Sequence, residues 1–181
     1  MNIASQKRKE NIAEYLLYMW QTEDLIRAHG LDLGKIKASI IENRGLTSEQ
    51  EHEMAEWYDS LIEMMRHEQV DKSGHLQINK NTLGSLAWLH RKLLENPKFE
   101  EYRAEFYRTL PYIVELRSKE GANPPGEIET CFVALYGALM LRLQRKPMNS
   151  DTEAAIGQIA RFIALLAKYF HLEEADKIEI E

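Results

Sequence analysis

The chain has 181 residues, of which 44% are hydrophobic and 29% charged, with a formal net charge of -6. That apolar content supports a buried core and excludes a disordered chain. The acidic balance excludes a non-specific nucleic-acid binder, which carries a basic footprint. The single cysteine, Cys131, excludes an intrachain disulfide framework and fits a reducing compartment.

The longest uncharged stretch in a hydrophobic helix lies between Glu129 and Arg142 and holds twelve residues. A membrane-spanning helix needs about 20. After Lys7-Arg8-Lys9, Glu14 interrupts the apolar run and no small-residue cleavage site follows, so the N-terminus does not read as a signal peptide. The sequence reads as cytoplasmic and membrane-free.

Helix-period apolar stripes predict a first helix from Ile3 to His29, stopped by Gly30 and presenting Arg8, Ile12, Tyr15, Leu16, Met19, Glu23 and Ile26 on one face. A second runs from Asp32 to Asn43 and ends at Gly45. Ser48 with Glu51 reads as a capping box for a third, whose apolar face holds Met54, Trp57, Tyr58, Leu61 and Met65. The opposite face is acidic. Gly74 to Ile78 reads as a short extended link. A fourth helix runs from about Asn79 to Glu95 with Leu83, Leu86, His90, Leu93 and Leu94 inward.

A fifth follows Pro97 with Phe99, Tyr102, Phe106, Leu110 and Ile113. Pro111 lacks the N–H that would bond the Tyr107 carbonyl, which predicts a kink or break. Gly121 to Gly126 is the strongest loop signal. The sixth helix, Glu127 to Lys146, is apolar nearly all round. A helix of that kind is central or meets a partner. The seventh runs from Asp151 to Phe170, with Ser150 and Glu153 as its capping box and Ile156, Ile159, Ile163, Leu166 and Phe170 at three-and-four spacing. The expected fold is all-α: one domain over residues 1–170, an irregular bundle of six to seven helices with the sixth at its centre. Residues 171–181 read as an acidic tail.

Two polar residues interrupt apolar stripes. Glu23 needs a partner if buried, and Arg27 stands four residues on, in the favourable order. His90 reads either as a core histidine with both nitrogens satisfied or as a pocket residue. The two would form an acid–base pair if they met. Glu49 and His52 form one Glu-x-x-His where a dimetal site needs two, so no metal is expected. No phosphate loop, nucleophile elbow or dinucleotide fingerprint occurs, and no cofactor is implied. Trp88 points away from its helix's main stripe, which suits an interface or a helix buried on two sides.

The stretch Gln6-Lys7-Arg8-Lys9-Glu10-Asn11-Ile12-Ala13-Glu14-Tyr15-Leu16-Leu17-Tyr18-Met19-Trp20 resembles the opening of a family of uncharacterised bacterial proteins catalogued as a domain of unknown function. So does Pro125-Gly126-Glu127-Ile128-Glu129 through Leu141. The resemblance implies a small helical bacterial protein and supplies no activity or catalytic residue.

Two functions are therefore expected from the residues. The first is a non-enzymatic interaction or regulatory module, pairing with itself or a protein partner through Trp88, Ile156 and Ile163. The second is a small-ligand binder or enzyme with Glu23, Arg27, His90 and Tyr15 around a polar site in the bundle. Whether the chain is an enzyme stays open.

Overall fold

A computed structural model describes residues 3–180. Among them the chain is all-helical, with eight α-helices and no strand. They are α1 (Ile3–Glu10), α2 (Ile12–Ala28), α3 (Leu33–Ile36), α4 (Ser48–His67), α5 (Gln77–Glu95), α6 (Glu100–Ser118), α7 (Glu127–Leu143) and α8 (Ser150–Glu174). The backbone divides into two compact units. One comprises the chain up to Glu10 with Glu14–Asn81, the other Asn11–Ala13 with the chain from Thr82 onward.

The expected single N-terminal helix is two, α1 and α2. Asn11 Oδ1 accepts the Ala13 N–H at 3.0 Å. This is an N-cap, and it releases the backbone from the helix that precedes it. Gly30 (φ +65°) and Leu31 (φ +56°) then close α2 in the left-handed region. The Gly30 N–H bonds the Arg27 carbonyl at 2.9 Å, and the Leu31 N–H bonds the Ile26 carbonyl at 3.0 Å. Leu31 is strained there. Its carbonyl is held by Arg66 Nη2 at 3.0 Å.

The expected second helix winds unevenly, from α3 through a π-turn at Lys37–Ile41 into a 3-10 turn at Glu42–Arg44. The cap of α4 is one residue earlier than expected. Thr47 and Gln50, rather than Ser48 and Glu51, exchange the capping-box bonds. The core of the first unit includes Leu16, Met19 and Trp20 of α2, Ile36 of α3, and Tyr58, Leu61, Ile62 and Met65 of α4.

The second unit is built on α6, α7, α8 and most of α5. Leu86, Leu89 and Leu93 of α5 are buried, as are Tyr102, Phe106 and Ile113 of α6. Ile128, Cys131 and Phe132 of α7 and Ile159, Phe162, Leu166 and Phe170 of α8 complete the core. α8 packs on both α6 and α7, which also pack on each other. A polar clasp joins α6 to α8. Gln158 Nε2 donates to Glu105 Oε1 at 2.7 Å and to Thr109 Oγ1 at 3.1 Å.

α6 passes through Pro111 without a break. The Tyr107 residue it leaves short of a bond is 64% exposed, so solvent can replace the missing donor. α8 is capped by Asn149, whose Oδ1 accepts the Thr152 N–H at 2.8 Å, not by Ser150. It also continues beyond Phe170 to Glu174. There His171 Nε2 accepts the Ile12 N–H at 3.0 Å. No helix among the described residues is long and apolar enough to cross a membrane.

Candidate functional site

Three places in the chain carry more than routine packing: a carboxylate cluster in the first unit, a histidine cluster in the second, and the outer face of α7.

Glu23 is completely buried on α2. It does not pair with Arg27. Its Oε1 accepts the Leu76 backbone N–H at 2.9 Å and Asn79 Nδ2 at 2.6 Å. Its Oε2 accepts His75 Nδ1–H at 2.5 Å. Trp20 stacks on the His75 ring, centroids 4.3 Å apart and planes 14° apart. The carboxylate thus sits at the start of α5, where the amide dipoles favour negative charge. Three donors offset its desolvation.

Arg27 serves a neighbouring purpose. Its guanidinium donates to the Val70 carbonyl at 3.2 and 3.1 Å, to the Gly74 carbonyl, and to Asp24 at 2.8 Å. Together Glu23 and Arg27 tie α2 to the segment between α4 and α5. Tyr15 is buried beneath the Arg8 guanidinium, which lies 5.5 Å from its ring centre. Burial raises the Tyr15 pKa, and Arg8 partly opposes that.

His90 has both nitrogens engaged. Its Nδ1 accepts the Tyr102 hydroxyl at 2.7 Å, and its Nε2–H donates to Glu127 Oε2 at 3.2 Å. Rings of Phe106 and Phe162 pack edge-on at 4.9 and 5.7 Å. Burial lowers the His90 pKa below its ordinary value, with the Glu127 hydrogen bond pulling the other way. The neutral imidazole that results is the one this bonding pattern needs. Cys131 is buried nearby and its thiol is pushed up to about 12, which removes thiolate character.

Glu23 and His90 therefore belong to separate clusters, each with its own partners. His75, Asn79, Tyr102 and Glu127 were missed as polar partners by sequence reasoning. Tyr102 was visible only as one member of an apolar stripe. The others lie at helix starts, where polar residues are unremarkable.

Two cavities elsewhere have lining residues distinct from Glu23, Arg27, His90 and Tyr15. One, of about 390 Å³, lies between Tyr112, Lys119, Asn149, Thr152 and Ile159. The other, of about 200 Å³, is lined by Lys37, Ile41, Glu51 and His52. Among the described residues no group of three or more His, Cys, Asp or Glu could hold a metal ion.

The interface residues divide. Trp88 is 42% exposed on α5. It stands two residues before His90, about 200° round the helix from the buried face. Ile156 and Ile163 are buried within the chain, so they offer no surface to a partner. α8 spends its apolar stripe on its own neighbours. α7 does not. Val133 and Leu143 are 44% and 57% exposed. Gly137 is exposed between them, with open space where a Cβ would stand. Tyr136 and Met140 are half-buried on the same side. No charged residue occurs from Thr130 to Leu141.

A helical chain with buried, hydrogen-bonded polar clusters and an uncharged outer face on α7 defines a class of architecture rather than a chemistry. Residues 1–177 match the family described as a domain of unknown function, DUF4924, and the chain belongs to that family. No curated protein and no solved structure matches it.

Proposed function

We propose that the protein is a non-enzymatic helical interaction module that associates with a second copy through the outer face of α7. One observation carries this reading: an exposed strip on α7, from Val133 through Gly137 to Leu143, without a charged residue before Arg142. Exposed apolar strips of this kind mark contact surfaces more often than scattered single residues do. The outer stripe of α6, with Tyr107 and Val114, is exposed too. It is interspersed with Arg108 and Glu115, whose side chains are 68% and 65% exposed, and such charges suit solvent. The polar clusters support the same choice. Glu23 and His90 direct their oxygens and nitrogens to groups inside the chain, where they fix helix positions. The test is light scattering on the wild type and on Val133→Glu and Leu143→Glu, with circular dichroism to check that each variant folds. The reading expects the wild type to exceed the 21.1 kDa of one chain and the variants to fall to it. A wild type that stays at one chain mass at high concentration contradicts it.

A second reading rests on Asn79. Its Oδ1 is buried beside Glu23 with no hydrogen-bond partner, and a small molecule bearing a donor would satisfy it. Retention of a stoichiometric extra mass, lost in Asn79→Leu, is its expected signature in native mass spectrometry. An unliganded mass from the protein's own host contradicts it.

A further inference from the structure

We infer that α7 pairs antiparallel with α7 of the second copy, about a two-fold axis between Tyr136 and Gly137. The inference rests on the self-association proposed above and adds its orientation and register. Charge decides the orientation. On this face the first turn of α7 carries Glu129, and Arg145 and Lys146 follow its last turn. A parallel pair would place acid against acid and base against base. An antiparallel pair places each acidic end against a basic end, and opposes the two helix dipoles.

Shape decides the register. An axis between Tyr136 and Gly137 sets Tyr136 of each copy over Gly137 of the other, where open space awaits a side chain. The same axis sets Val133 against Met140, and Glu129 against Gln144 and its neighbour Arg145. Each contact occurs twice, as a two-fold interface requires. In a parallel pair Gly137 would face Gly137 and leave a gap. The uncharged centre and charged ends follow the usual order of an interface, apolar in the middle and polar at the rim.

Cross-linking reads the geometry directly. Val133→Cys and Met140→Cys are made as separate variants, one of them isotope-labelled, mixed, and oxidised gently. The exposed or half-exposed positions leave the core untouched. The antiparallel register predicts the mixed Val133→Cys with Met140→Cys disulfide as the main product, with each variant alone cross-linking poorly. Efficient cross-linking of Val133→Cys to itself overturns the orientation while leaving self-association standing. No cross-link in any mixture, with the wild type still a dimer, overturns α7 as the contact. A wild type that never dimerises overturns both the inference and the function it rests on. A charge pair gives an independent readout: Glu129→Lys weakens dimerisation about threefold, and adding Arg145→Glu on the same chain restores it. Failure of the restoration counts against this register.

Discussion

At the residue scale, the two buried polar side chains do structural work with different sensitivities. Glu23 is the acceptor for three donors at once, from His75, Leu76 and Asn79. In Glu23→Leu those donors lose their partner in the interior. The expected loss is ~3 kcal/mol, the scale for breaking a buried charged network. Denaturant unfolding measures it, and the Leu76 amide should lose protection from hydrogen exchange in the same variant. Unchanged exchange at Leu76 would contradict the assigned bond. Removing the hydroxyl that bonds His90, in Tyr102→Phe, should cost about 1–3 kcal/mol because Nδ1 is left without a donor.

His90 itself makes stability depend on pH. Its pKa is lowered in the folded chain, chiefly by burial and slightly by Arg91, against the raising effect of Glu127. The unfolded chain therefore takes up the proton more readily. The contribution of His90 is fully present above its ordinary value of 6.5 and is lost as pH falls through and below it. Unfolding midpoints between about pH 7.5 and about pH 5 should fall in the wild type. The His90→Gln variant, less stable throughout, should show a smaller fall over that range. An equal fall in both would assign the pH dependence to other groups.

At the element scale, what the sequence disclosed depended on how local each signal is. Apolar periodicity located the bodies of the helices because burial repeats every turn. Their ends were less legible, because several residues at each end could serve as caps. Thr47 and Ser48 are both good N-caps, as are Asn149 and Ser150, and the backbone selected the earlier residue each time. The break at Asn11 did have a signal, Asn11 with Glu14 in N-cap spacing, hidden by the unbroken apolar stripe around it. The partners of Glu23 were not legible, since its bonds reach 52 to 56 residues along the chain. Arg27, four residues away, was the local choice, but the Val70 and Gly74 carbonyls hold it instead.

The all-round apolarity of α7 correctly marked it as unusual without saying why. One side fills the bundle and the other stays open. Pro111 makes a separate prediction at this scale. Pro111→Ala restores a donor to the Tyr107 carbonyl in an otherwise continuous α6, and should stabilise the chain by about 1 kcal/mol. A lower unfolding midpoint would show that the proline ring contributes contacts of greater value.

At the scale of the whole molecule, the chain combines internally hydrogen-bonded polar clusters with an uncharged outer face on α7. A contact built on one helix face lies at the small end of protein interfaces, so a weak dimer that dissociates on dilution is expected. The most direct measurement is sedimentation velocity on the wild type and Gly137→Arg over a dilution series. Gly137 is exposed, and nothing lies within 4 Å of its added Cβ, so the substitution spares the fold while filling the centre of the contact. The proposal predicts a concentration-dependent shift from twice the 21.1 kDa chain mass to one chain for the wild type, and one chain throughout for Gly137→Arg. A wild type that sediments as one chain at every concentration, or a Gly137→Arg variant that dimerises as well as the wild type, would contradict it.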